Sequence, residues 1–227
     1  MATAKKTTET EVNIQRLEKK CVHVKIVGDS PLIMHAWSEK AKKMMLDAQQ
    51  GKKKGKVKEY RNPVAEFITS MYWLSHEPVI PDGATEEECE TLFNEAIAAG
   101  AEFGFPASAF KQAGNSAAYR SGIVKNQMGL RAAYYLKPDS GEFITIHSDP
   151  PVMREDMVRI GNGSADLRYR GEFRNWWAEF DVVYSEQFGF DLESILSVID
   201  MGGMACGVGE WRPEKDGGFG TYHIATE

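Results

Sequence analysis

The chain has 227 residues, 42% of them hydrophobic, and a formal net charge of −6. That length buries a core without disulfide or metal staples, and no apolar run approaches the roughly 20 residues of a membrane-spanning helix. The acidic balance excludes a uniformly basic nucleic-acid binder, although not a protein with one basic face.

Residues 1–20, MATAKKTTETEVNIQRLEKK, are polar and mixed in charge, with no apolar stretch after the lysines, so they do not form a secretory signal. They read as a disordered or helical arm before a single domain over 21–227. Cys21, Cys89 and Cys206 are odd in number and form no C-x-x-C pair. This points to reduced, buried thiols in a cytoplasmic protein, with no zinc site and no disulfide framework.

The alternation in CVHVKIV predicts a first strand, broken by Gly28-Asp29-Ser30-Pro31. Ser38 caps a predicted helix over EKAKKMMLDAQQ, with Met44, Met45 and Ala48 on one side. GKKKGKVK follows, with five lysines in eight residues and no hydrophobic period, and reads as an exposed, mobile loop. NPVAEFITSMYWLS predicts a second helix, with Asn62 as cap, Pro63 at its first position, and an apolar stripe of Val64, Phe67, Ile68, Met71 and Tyr72. ATEEECETLFNEAIAAGAEFG predicts a third, acidic where the helix dipole favours acids. PASAFKQAGNSAAYRSG predicts a fourth, ending at Gly122.

From Met128 the pattern becomes strand-like: LRAAYYLKP, EFITIHS, MVRIGNG and ADLRYRGEFRNWWAEFDVVYS, with turns at 138–141 and 161–163. DLESILSVIDMGG predicts a helix with Leu192, Ile195, Leu196 and Ile199 on one face and Gly202 as its stop. CGVGEW and GFGTYHIA then read as a closing pair of strands. This order of elements predicts an α+β domain, an antiparallel sheet with helices on one face.

Charge is segregated. Residues 39–61 hold nine basic and three acidic side chains, a balance of +6, so the remainder carries −12. Such a segment suits a polyanion, or the acidic remainder of a neighbouring copy. Arg154, Arg159, Arg168, Arg170 and Arg174 alternate with Tyr169, Phe173, Trp176 and Trp177. Cations for phosphates and rings for bases are what single-strand binding needs. The alternative puts the tryptophans in the core or an interface and pairs the arginines with Glu155, Asp156, Asp166 and Glu172. Near the C-terminus Gly207, Gly209, Gly217, Gly218 and Gly220 punctuate the chain. Free N–H groups in such a loop can hold phosphate oxygens. The alternative is a bulged hairpin. The spacing is neither a P-loop nor a dinucleotide fingerprint.

Three stretches carry a resemblance. The first is a helix followed by G-x-G, seven residues, G-G-x-G and a last strand. The second is FPASAFKQAGNSAAYRSG, which resembles a P-x-S-x-x-K-G-x-x-R segment through Pro106, Ser108, Lys111 and Arg120. It departs from that pattern at Gln112 and in the later arginine. The third is MVRIGNGSADLRYRGEF, an arginine-led strand and turn. Together they cover Phe105 to Ile224 plus the first strand, and they resemble the RAMP superfamily, the RRM-like RNA-binding proteins of CRISPR effector complexes, in particular its Cas7-like members.

The resemblance implies an RRM/ferredoxin-like antiparallel sheet with a helical, basic insertion at about 38–100, after the first strand. It implies binding of single-stranded nucleic acid, RNA rather than DNA, and self-assembly into a helical or ring homo-oligomer in a small acidic protein suited to a phage genome. The expected contacts are Lys52, Lys53, Lys54, Lys56, Lys58 and Arg61 from the insertion, and Lys111 and Arg120 from the fourth helix. The arginine set above joins them, with Gly207, Gly209, Trp211, Arg212, Gly218 and Gly220 from the closing loop. The alternative is a protein-interaction or scaffold module that mimics or caps a CRISPR effector subunit, and a third reading is a Cas6-like endoribonuclease; a membrane, a cofactor and a metal are not expected. RNA-cleaving (Cas6-like) relatives carry a base near the position of His35, and filament-forming relatives a metal-dependent carboxylate near that of Asp29. A lone histidine in PLIMHAW and an aspartate in a Gly-Asp-Ser-Pro turn both suit structural roles, so no residue is assigned to catalysis.

Overall fold

The structure, a computed structural model, describes residues 16–37, 39–51, 61–160 and 163–226. Strand β1 (Lys20–Gly28) buries Val24 and Ile26, every second residue, as its alternation requires. A short strand β2 (Leu32–Met34) is buried throughout. Helix α1 (Glu39–Gln49) precedes α2 (Pro63–Thr69), whose first turn is closed by the Asn62 side chain accepting from the Ala65 N–H at 3.0 Å. Helix α3 (Glu86–Ala98) opens on a capping box: Thr85 Oγ1 accepts from the Glu88 N–H at 3.2 Å, and the Glu88 carboxylate accepts from the Thr85 N–H at 2.8 Å. Then come β3 (Phe103–Pro106), α4 (Ala107–Arg120), α5 (Met128–Ala133), β4 (Tyr134–Lys137), β5 (Phe143–Ile146) and β6 (Val152–Ile160). Strands β7 (Ser164–Phe173) and β8 (Trp177–Tyr184), helix α6 (Leu192–Ala205) and β9 (Tyr222–Ile224) complete the chain. No helix among the described residues is long and apolar enough to cross a membrane.

The main sheet has the order β4-β8-β1-β9, with every neighbouring pair antiparallel. Followed along the chain, β1-α4-β4 and β8-α6-β9 are two split β-α-β units that interleave, the connectivity of the ferredoxin-like fold. The expected fold class is therefore what the strand order shows. Helices α4 and α6 cover one face. Phe110 from α4 is fully buried there, its ring centroid 5.6 Å from that of Tyr222 and 6.1 Å from that of Phe180. The other face carries His23, Lys25 and Lys137 opposite Glu179 and Asp181. The segment between β1 and α4 is not helical alone. Its β2 joins β7 and β6 in a three-stranded sheet, and its β3 pairs with β5.

Several local expectations are corrected. LRAAYYLKP begins as α5, which buries Leu130 and Ala133, and turns to strand only at Tyr134. The second helix ends at Thr69, and Trp73 then bridges to Phe103. ADLRYRGEFRNWWAEFDVVYS is two strands, separated at Asn175 with φ of 50°. CGVGEW is a loop, because Gly207 and Gly209 turn the chain with φ of 64° and 80°. Met45 is exposed rather than packed; Ser38 and the side chains of Met44 and Ala48 lie outside the described residues. Cys89 and Cys206 are buried, while Cys21 is exposed on the outer face of the main sheet.

Gly202 does not stop α6, which runs on to Ala205. The helix needs glycine there because a Cβ on Gly202 would lie 2.5 Å from the Gly114 nitrogen of α4, and one on Gly203 would lie 1.9 Å from the Tyr222 carbonyl oxygen. Gly202→Ala is expected to destabilise the fold by about 1–3 kcal/mol through overpacking. Gly218→Ala, where a Cβ meets nothing within 4 Å, is expected to stay within about 0.5 kcal/mol of the parent. Thermal unfolding of both variants checks the pair.

Candidate nucleic-acid interface

Strands β6 and β7 form a long hairpin in register from Val152↔Glu172 to Ile160↔Ser164. Opposite residues share a face, so Arg154, Asp156, Arg168 and Arg170 stand together, while Met157, Arg159, Leu167 and Tyr169 occupy the reverse. On the first face the arginines are paired with acids. Arg154 donates from Nε to Asp156 at 2.8 Å and from Nη1 to Glu172 at 3.0 Å. Arg170 donates to the other Asp156 oxygen at 3.0 Å, Arg174 to Glu172 at 2.7 Å, and Arg168 meets Asp166 at 2.9 Å. Burial works against the Glu172 charge, yet Arg174 and Arg154 hold its carboxyl below the usual range. Arg170 is only 6% exposed and is a structural arginine, without surface for a phosphate chain. Arg159 is exposed. Trp176 is core, and Trp177 stacks on His147 with ring centroids 3.9 Å apart.

Arg61 ties the insertion to this hairpin. Its Nε and Nη2 donate to the two Glu66 oxygens at 2.7 and 2.6 Å, Nη1 to Asp166 at 2.7 Å, and Nη2 to the Leu167 carbonyl at 2.7 Å. An open hollow of about 380 Å³ lies beside it, against Met157, Leu167 and Tyr169. Lys52, Lys53, Lys54, Lys56 and Lys58 lie outside the described residues. The sequence carries one further signal, absent from the expectations above. Residues 62–110 contain nine acidic side chains and neither lysine nor arginine, and five of the acids, Glu86, Glu87, Glu88, Glu90 and Glu95, stand exposed on α3.

The closing loop folds back on the break after β1. The Glu210 N–H donates to the Ile33 carbonyl at 2.9 Å, Gly220 to Pro31 at 2.8 Å, Val208 to Gly220 at 2.9 Å, and Gly207 to Gly202 at 2.8 Å. These amides are engaged within the chain. Gly209 is needed because a Cβ there would sit 2.4 Å from the Ile33 carbonyl oxygen; Gly218 has open space around it. Trp211 is 37% exposed. Arg212 and Arg120 converge on one carboxylate, Glu214, both at 2.8 Å. Lys111 donates to the Arg131 carbonyl at 2.8 Å, and desolvation first, then Arg131, lowers its pKa.

The two weak catalytic candidates are held apart from each other by different partners. Asp29 pairs with His223 at 2.6 Å on the outer edge of the main sheet. His35 lies 3.4 Å from Arg170 Nη2 and 3.8 Å from Glu210, at the rim of a second hollow between the closing loop and α4. Among the described residues, no group of three His, Cys, Asp or Glu side chains is placed to hold a metal ion.

No protein-family model matches the chain, and no curated protein matches it in sequence. Among solved structures, the chain is similar to the crystal structure of Cmr6 from Pyrococcus furiosus, with a TM-score of 0.35 and 11% identity, over 92% of this chain and 100% of that one. The ferredoxin-like assignment rests on the chain's own strand order.

Proposed function

We propose that the chain binds single-stranded nucleic acid, RNA in preference to DNA, as a Cas7-like protein of the RAMP type, and that copies assemble along the strand. One observation carries this reading: Arg61 fastens the basic segment onto the β6–β7 hairpin. The lysines of 52–58 precede Arg61 directly in sequence, and the hairpin adds exposed Arg159 on one face and half-exposed Arg168 on the other. A cluster of positive charge on an otherwise acidic chain attracts a phosphate backbone to one path and repels it elsewhere. The ferredoxin-like core and the closing glycine loop fit the resemblance seen in the sequence. The arginines already neutralised by acids contribute shape, and the exposed cations contribute affinity.

The charge distribution also supports a second reading, an interaction module. The basic segment 39–61 and the acidic stretch 62–110 are complementary, so one copy can dock on the next, or on an effector subunit, without nucleic acid.

Binding of a fluorescent single-stranded RNA 20-mer should weaken steeply with salt, because phosphate contacts release counterions. Changing Lys52, Lys53 and Lys54 together to alanine should flatten the slope of log K against log salt by about 2, at about 0.7 per lost contact. No binding, or binding indifferent to salt, removes the reading. Light scattering before and after nuclease treatment separates the alternatives. Collapse of a large species to monomer supports assembly on the strand, and a discrete ring that survives supports the interaction module.

A further inference from the structure

We propose that the hollow between the closing loop and α4 receives one guanine base of the bound strand. The inference rests on the single-strand reading and assigns a site within it. The hollow measures about 180 Å³, room for a planar heterocycle, and is walled by Tyr72 and Phe105, Gln112 of α4, His35 and Glu210. The Tyr72 ring meets the buried Phe105 ring edge to face at 5.7 Å, and half-buried Tyr72 gives the hollow an aromatic side of the kind unstacked bases lie on.

The polar side of the wall is left with spare capacity. The Glu210 carboxylate faces His35 at 3.8 Å and Arg170 at 3.6 Å, both longer than a hydrogen bond. His35 first, with Arg170 and Arg212, keeps the Glu210 carboxyl below its usual range against the opposing effect of burial. It is thus an ionised acceptor whose two oxygens are held by long contacts, one to His35 and one to Arg170.

That chemistry selects its occupant. A phosphate would meet the carboxylates of Glu210 and Glu214. A guanidinium from a protein partner would meet Arg212 on the wall and two acids already paired with Arg120 and Arg170. A neutral, flat group with two parallel donors meets neither objection, and guanine presents N1–H and the N2 amino group side by side. Uracil flanks its one N–H with two carbonyl oxygens, and adenine and cytosine set one amino donor beside an acceptor nitrogen. These edges place an acceptor against the carboxylate. The Gln112 amide offers a donor for guanine O6.

The test compares uridine ten-mers carrying one central guanine, inosine or adenine, with free guanosine and inosine titrated alongside by calorimetry. Inosine lacks only the N2 amino group. The guanine ten-mer is expected to bind about tenfold tighter than the inosine one, the range for a bidentate base contact. Glu210→Gln, which replaces one acceptor by a donor, should erase that difference while leaving the affinity for an all-uridine ten-mer unchanged. Equal affinity of the unaltered protein for guanine and inosine strands overturns the proposal without need of any variant, as does a guanine preference that survives Glu210→Gln. Guanosine binding without binding of any ten-mer would keep the pocket and remove the strand-binding reading. Ten-mers bound without guanine preference would do the reverse.

Discussion

The candidate site depends on a few backbone hydrogen bonds between the closing loop and the break after β1. Asp29 donates to Thr221, Gly220 to Pro31, and Glu210 to Ile33, at 2.8 to 2.9 Å. Ser30 sits at the centre of this seam. Its hydroxyl meets Thr221 Oγ1 at 2.7 Å and accepts from the Thr221 N–H at 3.0 Å, while its carbonyl accepts from buried Trp176 at 2.8 Å. One turn thereby couples the core tryptophan, the last strand and the glycine loop. Without the seam, His35 and Glu210 would have no reason to share a wall.

The hairpin follows from a different constraint. Its register sets Arg154 opposite Arg170, and Asp156 and Glu172 beside and diagonal to them neutralise the pair, so the face assembles by internal neutralisation. Ion pairs of this kind contribute little net stability, because desolvation offsets attraction, but loss of a single partner strands a buried charge. Arg170 and Asp156 are in that position, at 6% and 5% side-chain exposure. The face is therefore rigid in its charge pattern. Among the described residues of the hairpin, Arg159 is exposed and stands outside this network.

Much of this was legible from residue order. Strands β1 and β8 follow simple alternation, α3 is announced by its acidic first turn, and the arginine–aromatic run marks the hairpin. What failed did so where tertiary contact overrode local preference. Gly202 and Gly203 look like a helix stop, yet they are the residues thin enough to pass α4 and β9. Met128 to Ala133 turns helical where Leu130 and Ala133 enter the core. Strand β2 is too short to show a period, and only its pairing with β7 defines it. In the site, the arginines were visible, but which acid each one takes depends on register. Glu210 was invisible as a functional residue, since a glutamate in a glycine loop acquires meaning only when His35 and Arg170 arrive from distant segments.

The two buried thiols stand in different parts of this architecture. Cys89 is in the insertion, where its sulfur accepts from the Asn62 side-chain amide at 3.4 Å, and Cys206 ends α6 in the ferredoxin-like core. Burial raises the pKa of both, so a thiol reagent reaches either one only when its own surroundings open. The molecule thus carries two internal clocks for local opening, one per structural unit. The ratio of their rates would report whether the insertion breathes independently of the core that anchors it.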